Sequence, residues 1–121
     1  MADVCPIRFD HPVSPLAAAS AVGSDINLDQ LDAAFSRLSC NRNAVVVEGA
    51  GGLLVPITQT MSYADLFARW NLDIIIVAAN RLGVINHVLL TVMAALNHRL
   101  KVRGIVLTQF VRDLTAKIRP G

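Results

Sequence analysis

A glutamate followed by glycines is the part of this sequence whose residue types and spacing best suit chemistry. Glu48 comes directly after an uncharged apolar run, and Gly49, Gly51 and Gly52 occupy three of the next four positions. Glycines allow backbone N–H groups to approach an anion closely, and a carboxylate beside a phosphate can hold Mg²⁺. A glycine-rich turn with a solvent-facing glutamate would show the same spacing, so both interpretations remain open at this point.

A second candidate site follows another apolar run, where the letters NRLGVINH occupy residues 80–87. The spacing places Asn86 as the cap of a helix that begins just after it. Free backbone N–H groups at a helix start favour an anion, for instance a carboxylate. The alternative interpretation is that Asn86 only caps the helix and that His87 lies on its surface.

The other nucleophiles and metal ligands form no pattern of this kind. His11 and His98 have no partner at ligand spacing, and no set of cysteines and histidines has the spacing of a metal site. Cys5 and Cys40 are too few for a disulfide framework, which predicts that both remain reduced thiols. The sequence also lacks the G-x-S-x-G pattern of a serine nucleophile.

The strands that would position these residues are predicted by three short apolar runs, at residues 44–47, 74–79 and 102–107. The runs begin about 30 residues apart, which is the length of a strand–helix–strand unit. They are continuous rather than alternating, as in strands of a parallel sheet that are buried on both faces. Since ligands of open α/β sheets bind at the carboxyl ends of the strands, both candidate sites fall where a ligand is expected.

The segments between these runs have the periodicity of helices. Asn27 with Gln30, and Ser62 with Asp65, are placed as capping pairs ahead of two of them. The apolar positions of the three predicted helices are Leu28, Leu31, Ala34, Phe35 and Leu38, then Leu66 and Phe67, and then Val88, Leu89, Val92, Met93 and Leu96. Strands that alternate with helices predict an α/β sheet with right-handed crossovers. Residues 1–25 are expected to form an extended lead-in.

Composition narrows the class of protein. Of the 121 residues, 54% are hydrophobic and 17% are charged, which excludes an intrinsically disordered chain and predicts a single domain over residues 1–121. No apolar run approaches the ~20 residues of a membrane span, and the start has no signal-peptide pattern, so we expect no membrane contact and a cytoplasmic protein. A net charge of +2 with 5% aromatic residues argues against a nucleic-acid partner.

Five blocks of residues, taken together, carry a resemblance to a known family. They are FDHPVSPLAA at residues 9–18, EGAGGLLVPI at 48–57, ADL at 64–66, RLGVINHVLLT at 81–91 and VRGIVL at 102–107. In this order and spacing they resemble dethiobiotin synthase, over about residues 6 to 108. Neither the glutamate–glycine block nor the RLGVINH block is specific for this family by itself, but the two together are.

The resemblance implies a parallel-sheet, P-loop NTPase-like fold of the doubly wound type and a ligase of biotin biosynthesis. The implied substrates are 7,8-diaminopelargonic acid, CO₂ and ATP, with Mg²⁺ as the metal. CO₂ adds to one amine to form a carbamate, ATP phosphorylates the carbamate, and the second amine closes the cyclic urea. Chemistry of this type rests on positioning and charge neutralisation rather than on a protein nucleophile.

The resemblance also assigns roles to residues. Glu48 would ligate Mg²⁺, and Gly51 would act with its neighbours next to the reacting carbamate. Thr108 stands where the family has an adenine-reading asparagine. The substrate-binding residues implied are Ser14, Pro15, Gly51, Gly52, Leu82, Gly83, Val84, Ile85 and Asn86. In the family the segment that corresponds to residues 82–86 comes from the other subunit, which implies a homodimer with shared active sites.

The sequence departs from the family at Thr108 and, more importantly for activity, in the phosphate loop. It contains no G-x-x-x-x-G-K-[ST] phosphate loop, and both of its lysines come after residue 100. We therefore expect a central piece of the family's chain, truncated to about three core strands with flanking helices and inactive by itself. Two alternatives stay open: a non-catalytic dimerisation or regulatory remnant, and another P-loop ATPase relative such as a partitioning-type ATPase or a cobyric-acid-type synthase.

Overall fold

A computed structural model of the chain describes residues 4–40 and 42–109. The contacts divide the chain into two units, Met1–Trp70 and Asn71–Gly121. The first unit contains the helices α1 (Pro15–Ala21), α2 (Leu28–Cys40) and α3 (Tyr63–Arg69). The second contains strand β1 (Asp73–Ala79), helix α4 (Val84–Asn97) and strand β2 (Lys101–Thr108).

Helix α1 lies within the segment that was expected to be extended, so that expectation is wrong for residues 15–21. Pro15 occupies the first helical position, where its missing N–H costs nothing. The helix ends where Gly23 adopts a φ of 66°, and the N–H of Ser24 donates to the Ala19 carbonyl at 3.0 Å. These contacts are those of a Schellman motif, which a glycine stabilises because it tolerates positive φ.

Helix α2 begins with the predicted cap at Asn27, but the Gln30 side chain has a different hydrogen-bond partner from the one predicted. The Asn27 side chain accepts a hydrogen bond from the Gln30 backbone N–H at 3.1 Å, which confirms Asn27 as the cap. The Gln30 side chain donates instead to the Pro6 carbonyl at 2.9 Å, and so fastens the preceding segment to the helix.

Side chains at the end of α3 contact α2 in the first unit. The rings of Phe35 and Trp70 stack with centroids 4.4 Å apart and planes 6° from parallel. The Trp70 indole N–H donates to Asp32 at 2.7 Å, and Arg69 forms an ion pair with the same carboxylate. The Trp70 hydrogen bond and then Arg69 hold the pKa of Asp32 below its usual value, although partial burial opposes them. The buried apolar residues of this unit are Ala18, Ala19, Ala34, Ile57, Ala64, Leu66 and Phe67.

The strand predicted over residues 44–47 does not form, and this part of the sequence prediction is wrong. These residues have no regular structure, and the side chain of Val46 is 95% exposed. A strand exists only when its backbone pairs with a neighbour. Within the described residues no strand pairs with this segment, so its apolar composition alone does not make it one.

The second unit confirms the predicted α/β class with a parallel sheet. β1 and β2 pair in parallel from Asp73 opposite Lys101 to Ala79 opposite Thr108, and α4 connects them and packs on both. The register skips Arg103, which forms a bulge, and the Arg103 Nε donates to Asp73 at 2.8 Å. The buried apolar residues of this unit are Ile76, Ala95 and Leu100.

Membrane insertion receives no support from the described helices. None of them is both long enough and apolar enough to cross a bilayer.

Candidate functional site

Loop 48–52 of the first unit carries the predicted metal ligand. Glu48 is exposed and lines a cleft of about 860 Å³ within this unit. The cleft is otherwise mostly apolar, with Pro6, Ile7 and Phe9 on one segment and Leu31, Phe35 and Leu38 on α2. Within the described residues the Glu48 carboxylate has no hydrogen-bond partner, so its oxygens remain available to a ligand.

Gly51 is the glycine of this loop that the backbone most strictly requires. Its φ is +94°, and an added Cβ would lie 3.1 Å from the Val55 Cγ2. Gly52 has no such restriction, since its Cβ would meet nothing within 4 Å. The Gly52 carbonyl accepts a hydrogen bond from the Val55 N–H at 3.0 Å, which closes the turn. The tight backbone at Gly51 is what a loop that presents N–H groups to an anion needs.

The chain beyond this turn returns to the start of α3. The backbones of Pro56 and Ser62 form an antiparallel bridge, and the Ala64 N–H donates to the Leu53 carbonyl at 2.9 Å. Ser62 and Asp65 form the predicted capping box: the Ser62 hydroxyl accepts from the Asp65 N–H, and the Asp65 carboxylate accepts from the Ser62 N–H at 2.7 Å. This anchors the loop to a helix whose first turn is fully capped.

Ser14 and Pro15 lie at the start of α1. Ser14 is the N-cap residue, but its hydroxyl makes no capping hydrogen bond. Pro15 lines the cleft together with Glu48, whereas Ser14, Gly51 and Gly52 are not among the residues that line it. The structure therefore brings Pro15 and Glu48 to one cleft and leaves the other three predicted residues of this unit at its margins or outside it.

The donor set for a metal ion in the described part of the chain is small. It contains no group of three or more histidines, cysteines, aspartates or glutamates that could enclose a metal. Mg²⁺ prefers carboxylate oxygen and is commonly held by one or two carboxylates with waters and substrate phosphates completing its shell. Glu48 fits that requirement as a single ligand, with phosphate oxygens supplying the others.

The second predicted site begins at Gly83 rather than at Asn86. Gly83 is the N-cap residue of α4, with a φ of 92° and no side-chain capping bond. The predicted cap at Asn86 is therefore wrong: the helix begins at Val84, directly after a left-handed conformation that glycine tolerates, and Asn86 is its third residue. The Val84 N–H donates to the Arg81 carbonyl at 3.0 Å and the His87 N–H to Gly83 at 3.1 Å.

The free amides of this helix start are those of Ile85 and Asn86. In the ranges 4–40 and 42–109, neither N–H has an acceptor. Leu82 is fully exposed and Ile85 is 75% exposed, so the approach to these amides is open on the second unit. Two unpaired N–H groups at the positive end of a helix can donate hydrogen bonds to one carboxylate.

Thr108 ends β2 opposite the end of β1. Its carbonyl accepts from the Asn80 N–H at 2.8 Å, and its hydroxyl donates to the Ala78 carbonyl at 3.4 Å. The hydroxyl proton is thus directed to the backbone, which leaves the hydroxyl oxygen as the acceptor for any ligand at this edge.

Tyr63 and Val55 were not singled out by the sequence. Both contact the glycines of loop 48–52, since an added Cβ at Gly49 would lie 3.1–3.2 Å from the Tyr63 ring, and one at Gly51 would meet Val55. The sequence contains one indirect signal for this contact. A glycine such as Gly49 can indicate that another side chain lies close to the backbone, and an aromatic residue follows the cap at Ser62.

Comparison with known proteins identifies relatives across most of the chain. A family model described as an AAA domain matches residues 1–118. An ATP-dependent dethiobiotin synthetase of Anaeromyxobacter dehalogenans (strain 2CP-C) is 44% identical over 106 residues, which are 88% of this chain and 48% of that protein. The protein of the same name from Aquifex aeolicus is 38% identical over 119 residues, which are 98% of this chain and 54% of the relative.

A third relative gives the same result. The ATP-dependent dethiobiotin synthetase of Rhodopseudomonas palustris (strain BisB18) is 42% identical over 98 residues, which are 81% of this chain and 44% of that protein. The chain thus spans about half the length of the curated relatives it matches.

Proposed function

Because the chain belongs to the AAA-domain family that includes the dethiobiotin synthetases, we propose that it carries part of the active site for ATP-dependent closure of a cyclic urea in biotin synthesis. The substrates would be 7,8-diaminopelargonic acid, CO₂ and ATP. The observation that carries the proposal is loop 48–52, where a carboxylate with no hydrogen-bond partner among the described residues precedes a backbone at Gly51 that other residues rarely adopt.

In this proposal Glu48 holds Mg²⁺, and the loop after it faces the reacting group. Mg²⁺ would neutralise phosphate charge as the carbamate is phosphorylated. Gly51 and Gly52 would place their N–H groups beside the carbamate, and Ser14 and Pro15 would line the substrate pocket. The cleft supports the roles of Pro15 and Glu48, which line it, because its apolar lining would exclude water from the carbon chain of the substrate.

The start of α4 would bind the substrate carboxylate. Residues Leu82, Gly83 and Val84 would shape the approach. The unpaired backbone amides of Ile85 and Asn86 would donate to the carboxylate, and the side-chain amide of Asn86 would donate to it as well. Thr108 would contact the nucleotide through its hydroxyl oxygen. An ATP-consuming reaction of this kind suits a cytoplasmic protein, as the composition also suggests.

A homodimer is part of the proposal. One face of α4 presents an apolar stripe of four residues that are each more than half exposed, namely Ile85, Leu89, Met93 and Leu96. Their spacing follows the helical repeat, so they form one continuous surface. A second copy of the chain that covered this stripe would bring the α4 start next to a partner's substrate, which is the shared-site arrangement that the resemblance implies.

The test uses a fusion enzyme. We would join this chain to the portions of the Anaeromyxobacter relative that it does not cover, and measure ATP-dependent formation of dethiobiotin. We expect the fusion to be active and the isolated chain to be inactive, because the isolated chain lacks a phosphate-loop lysine. In the fusion, Glu48→Gln should abolish turnover and leave the free energy of unfolding unchanged, since Glu48 is exposed and unpaired in the described structure.

The matched control is Asp29→Asn, which makes the same carboxylate-to-amide change on the exposed surface of α2, outside the cleft. It should leave turnover unchanged. Wild-type rates for Glu48→Gln at limiting Mg²⁺ would remove the metal role. An inactive fusion that folds and fails to bind ATP would favour the alternative of a non-catalytic dimerisation or regulatory module.

A further inference from the structure

Tyr63 is held in place by several contacts at the start of α3. It is the first residue of that helix, directly after the Ser62–Asp65 capping box. Its N–H donates to the Val55 carbonyl at 3.2 Å, and its ring lies against that of Phe67 with centroids 5.7 Å apart. The Tyr63 ring is therefore positioned by contacts at the start of α3, namely the ring of Phe67 and the carbonyl of Val55.

The face of this ring lies directly against the backbone of Gly49. An added Cβ at Gly49 would lie 3.1 Å from the Tyr63 Cγ and 3.2 Å from both Cδ1 and Cδ2. Nearly equal distances to Cγ and to both Cδ atoms mean that the glycine faces the ring plane rather than its edge. The φ of Gly49 is outside the positive range that favours glycine, so the ring is what requires glycine there.

We propose that Tyr63 is a positioning residue for Glu48: its ring fixes the backbone at Gly49 and thereby the direction of the neighbouring carboxylate. The proposal deepens the proposed function and rests on it for the importance of Glu48. Glu48 has no hydrogen bond of its own in the described residues to orient it. The face of the Tyr63 ring contacts the next residue, Gly49, and this contact limits the backbone of Glu48.

The primary test is NMR spectroscopy of the full chain. Protons above an aromatic face resonate upfield, so the Gly49 α-protons should be shifted upfield in the wild type and in Tyr63→Phe, which keeps the ring. In Tyr63→Leu the upfield shift should be lost. The amides of residues 48–52 should then exchange about 2- to 10-fold faster, the size expected for one aromatic contact, and the Glu48 side-chain couplings should average.

Leu66→Ala is the control for a merely structural effect. Leu66 is buried on the same helix, so this change weakens packing of α3 without removing the ring at Tyr63. It should lower stability while the Gly49 shift and the Glu48 couplings stay as in the wild type. If Leu66→Ala mobilises the loop as much as Tyr63→Leu does, Tyr63 only stabilises α3 and the proposal is wrong.

A double-mutant cycle provides a second, independent readout. Gly49→Ala should destabilise the wild type, because the new methyl group meets the ring, and should be better tolerated when Tyr63→Ala removes the ring. Gly52→Ala is the matched control, because open space surrounds that position. Its effect on stability should be the same in both backgrounds.

A Gly49 signal without an upfield shift in the wild type, or additive effects of Gly49→Ala and Tyr63→Ala, would overturn the proposal. None of these measurements uses ATP, Mg²⁺ or turnover. A folded but inactive fusion enzyme would therefore refute the proposed function without changing the result of these positioning experiments.

Discussion

Asp32 shows how single residues of this chain acquire their properties from neighbours that are distant in sequence. Its carboxylate accepts hydrogen bonds from Trp70 and Arg69, which are 38 and 37 positions away. These donors favour the charged form, so they lower the pKa of Asp32 from its ordinary 3.8. Such a group links the stability of the first unit to pH.

The first prediction follows from the sign of that shift. A lowered folded-state pKa contributes stability that is fully present above the unfolded value of 3.8 and is lost as the pH falls through the folded value. In urea unfolding at a series of pH values, Asp32→Asn should therefore show a weaker loss of stability below this pH than the wild type.

Trp70→Phe is the matched variant for Asp32, since it keeps the aromatic stack with Phe35 and removes the N–H donor. It should also weaken the acid dependence, and adding it to Asp32→Asn should bring no further change in that dependence. Wild-type acid dependence in Asp32→Asn would show that this carboxylate is not linked to unfolding.

At the scale of elements, the end of α4 depends on a residue that is poorly suited to its conformation. Arg99 has a φ of 58°, with its N–H donating to the Leu96 carbonyl at 2.9 Å, and the Leu100 N–H donating to the Ala95 carbonyl at 2.9 Å. This is the same Schellman motif that ends α1, where the corresponding residue is Gly23. A left-handed φ costs a non-glycine residue about 1 kcal/mol.

The second prediction compares two substitutions at this position. Arg99→Gly and Arg99→Ala lose the same charge beside the helix end, but only glycine relieves the strained φ. We expect the glycine variant to be more stable than the alanine variant by about 1 kcal/mol in chemical unfolding.

The Gly23 position tests the same reasoning in the opposite direction. Gly23 has a φ of +66° and open space around an added Cβ, so Gly23→Ala introduces the φ strain and no clash. It should destabilise the chain by about 1 kcal/mol. Equal stabilities for glycine and alanine at position 99 would contradict the strain argument.

At the scale of the whole molecule, the proposed dimer makes each active site depend on two chains. Glu48 belongs to the first unit and Asn86 to the second. If the start of α4 binds the partner's substrate, a subunit with a defect in one of these residues can be combined with a subunit that has a defect in the other. One site of such a mixed dimer then has both residues intact. A closed two-fold dimer has two equivalent sites, and each site takes one of these residues from each chain.

The third prediction uses the repaired fusion enzyme. Asn86→Ala removes the side-chain amide and keeps the backbone N–H, so it should raise the KM for the diamine substrate only by the share of carboxylate binding that the side chain supplies, and it should leave the KM for ATP almost unchanged. Mixing Asn86→Ala with Glu48→Gln subunits, at substrate concentrations below KM, should restore about a quarter of wild-type turnover, since half of randomly formed dimers are mixed and have one intact site. The control is the same mixture with Asp29→Asn in place of Asn86→Ala.

A failure of complementation is informative if mixed dimers are shown to form. If the turnover of the mixture is only the mean of the two parent variants, each site takes both residues from one chain, and the shared-site model is wrong. Mutation of the α4 stripe gives a further check on assembly: Leu89→Lys should reduce dimer formation, as measured by analytical ultracentrifugation, because it buries a charge in an apolar surface.

The sequence by itself determined the parts of this protein that depend on neighbours in the chain. The helical stripe and Asn27 cap of α2, the Ser62–Asp65 capping box and the parallel β1–α4–β2 unit were all predictable, because each arises from contacts a few residues apart or from a strongly apolar run. The glutamate–glycine block was recognisable for the same reason, since its character lies in adjacent residues.

Only the tertiary structure decided the features that depend on contacts between distant segments. Residues 44–47 have the composition of a strand but no strand to pair with in the described structure, and pairing is a property of two segments. Helix α4 begins at Val84 and not after Asn86, and it follows a left-handed conformation at Gly83 that the residue type permits but does not dictate. The contact of Gly49 with Tyr63 joins positions fourteen residues apart, so no local pattern could reveal that the ring, rather than a ligand, requires glycine there.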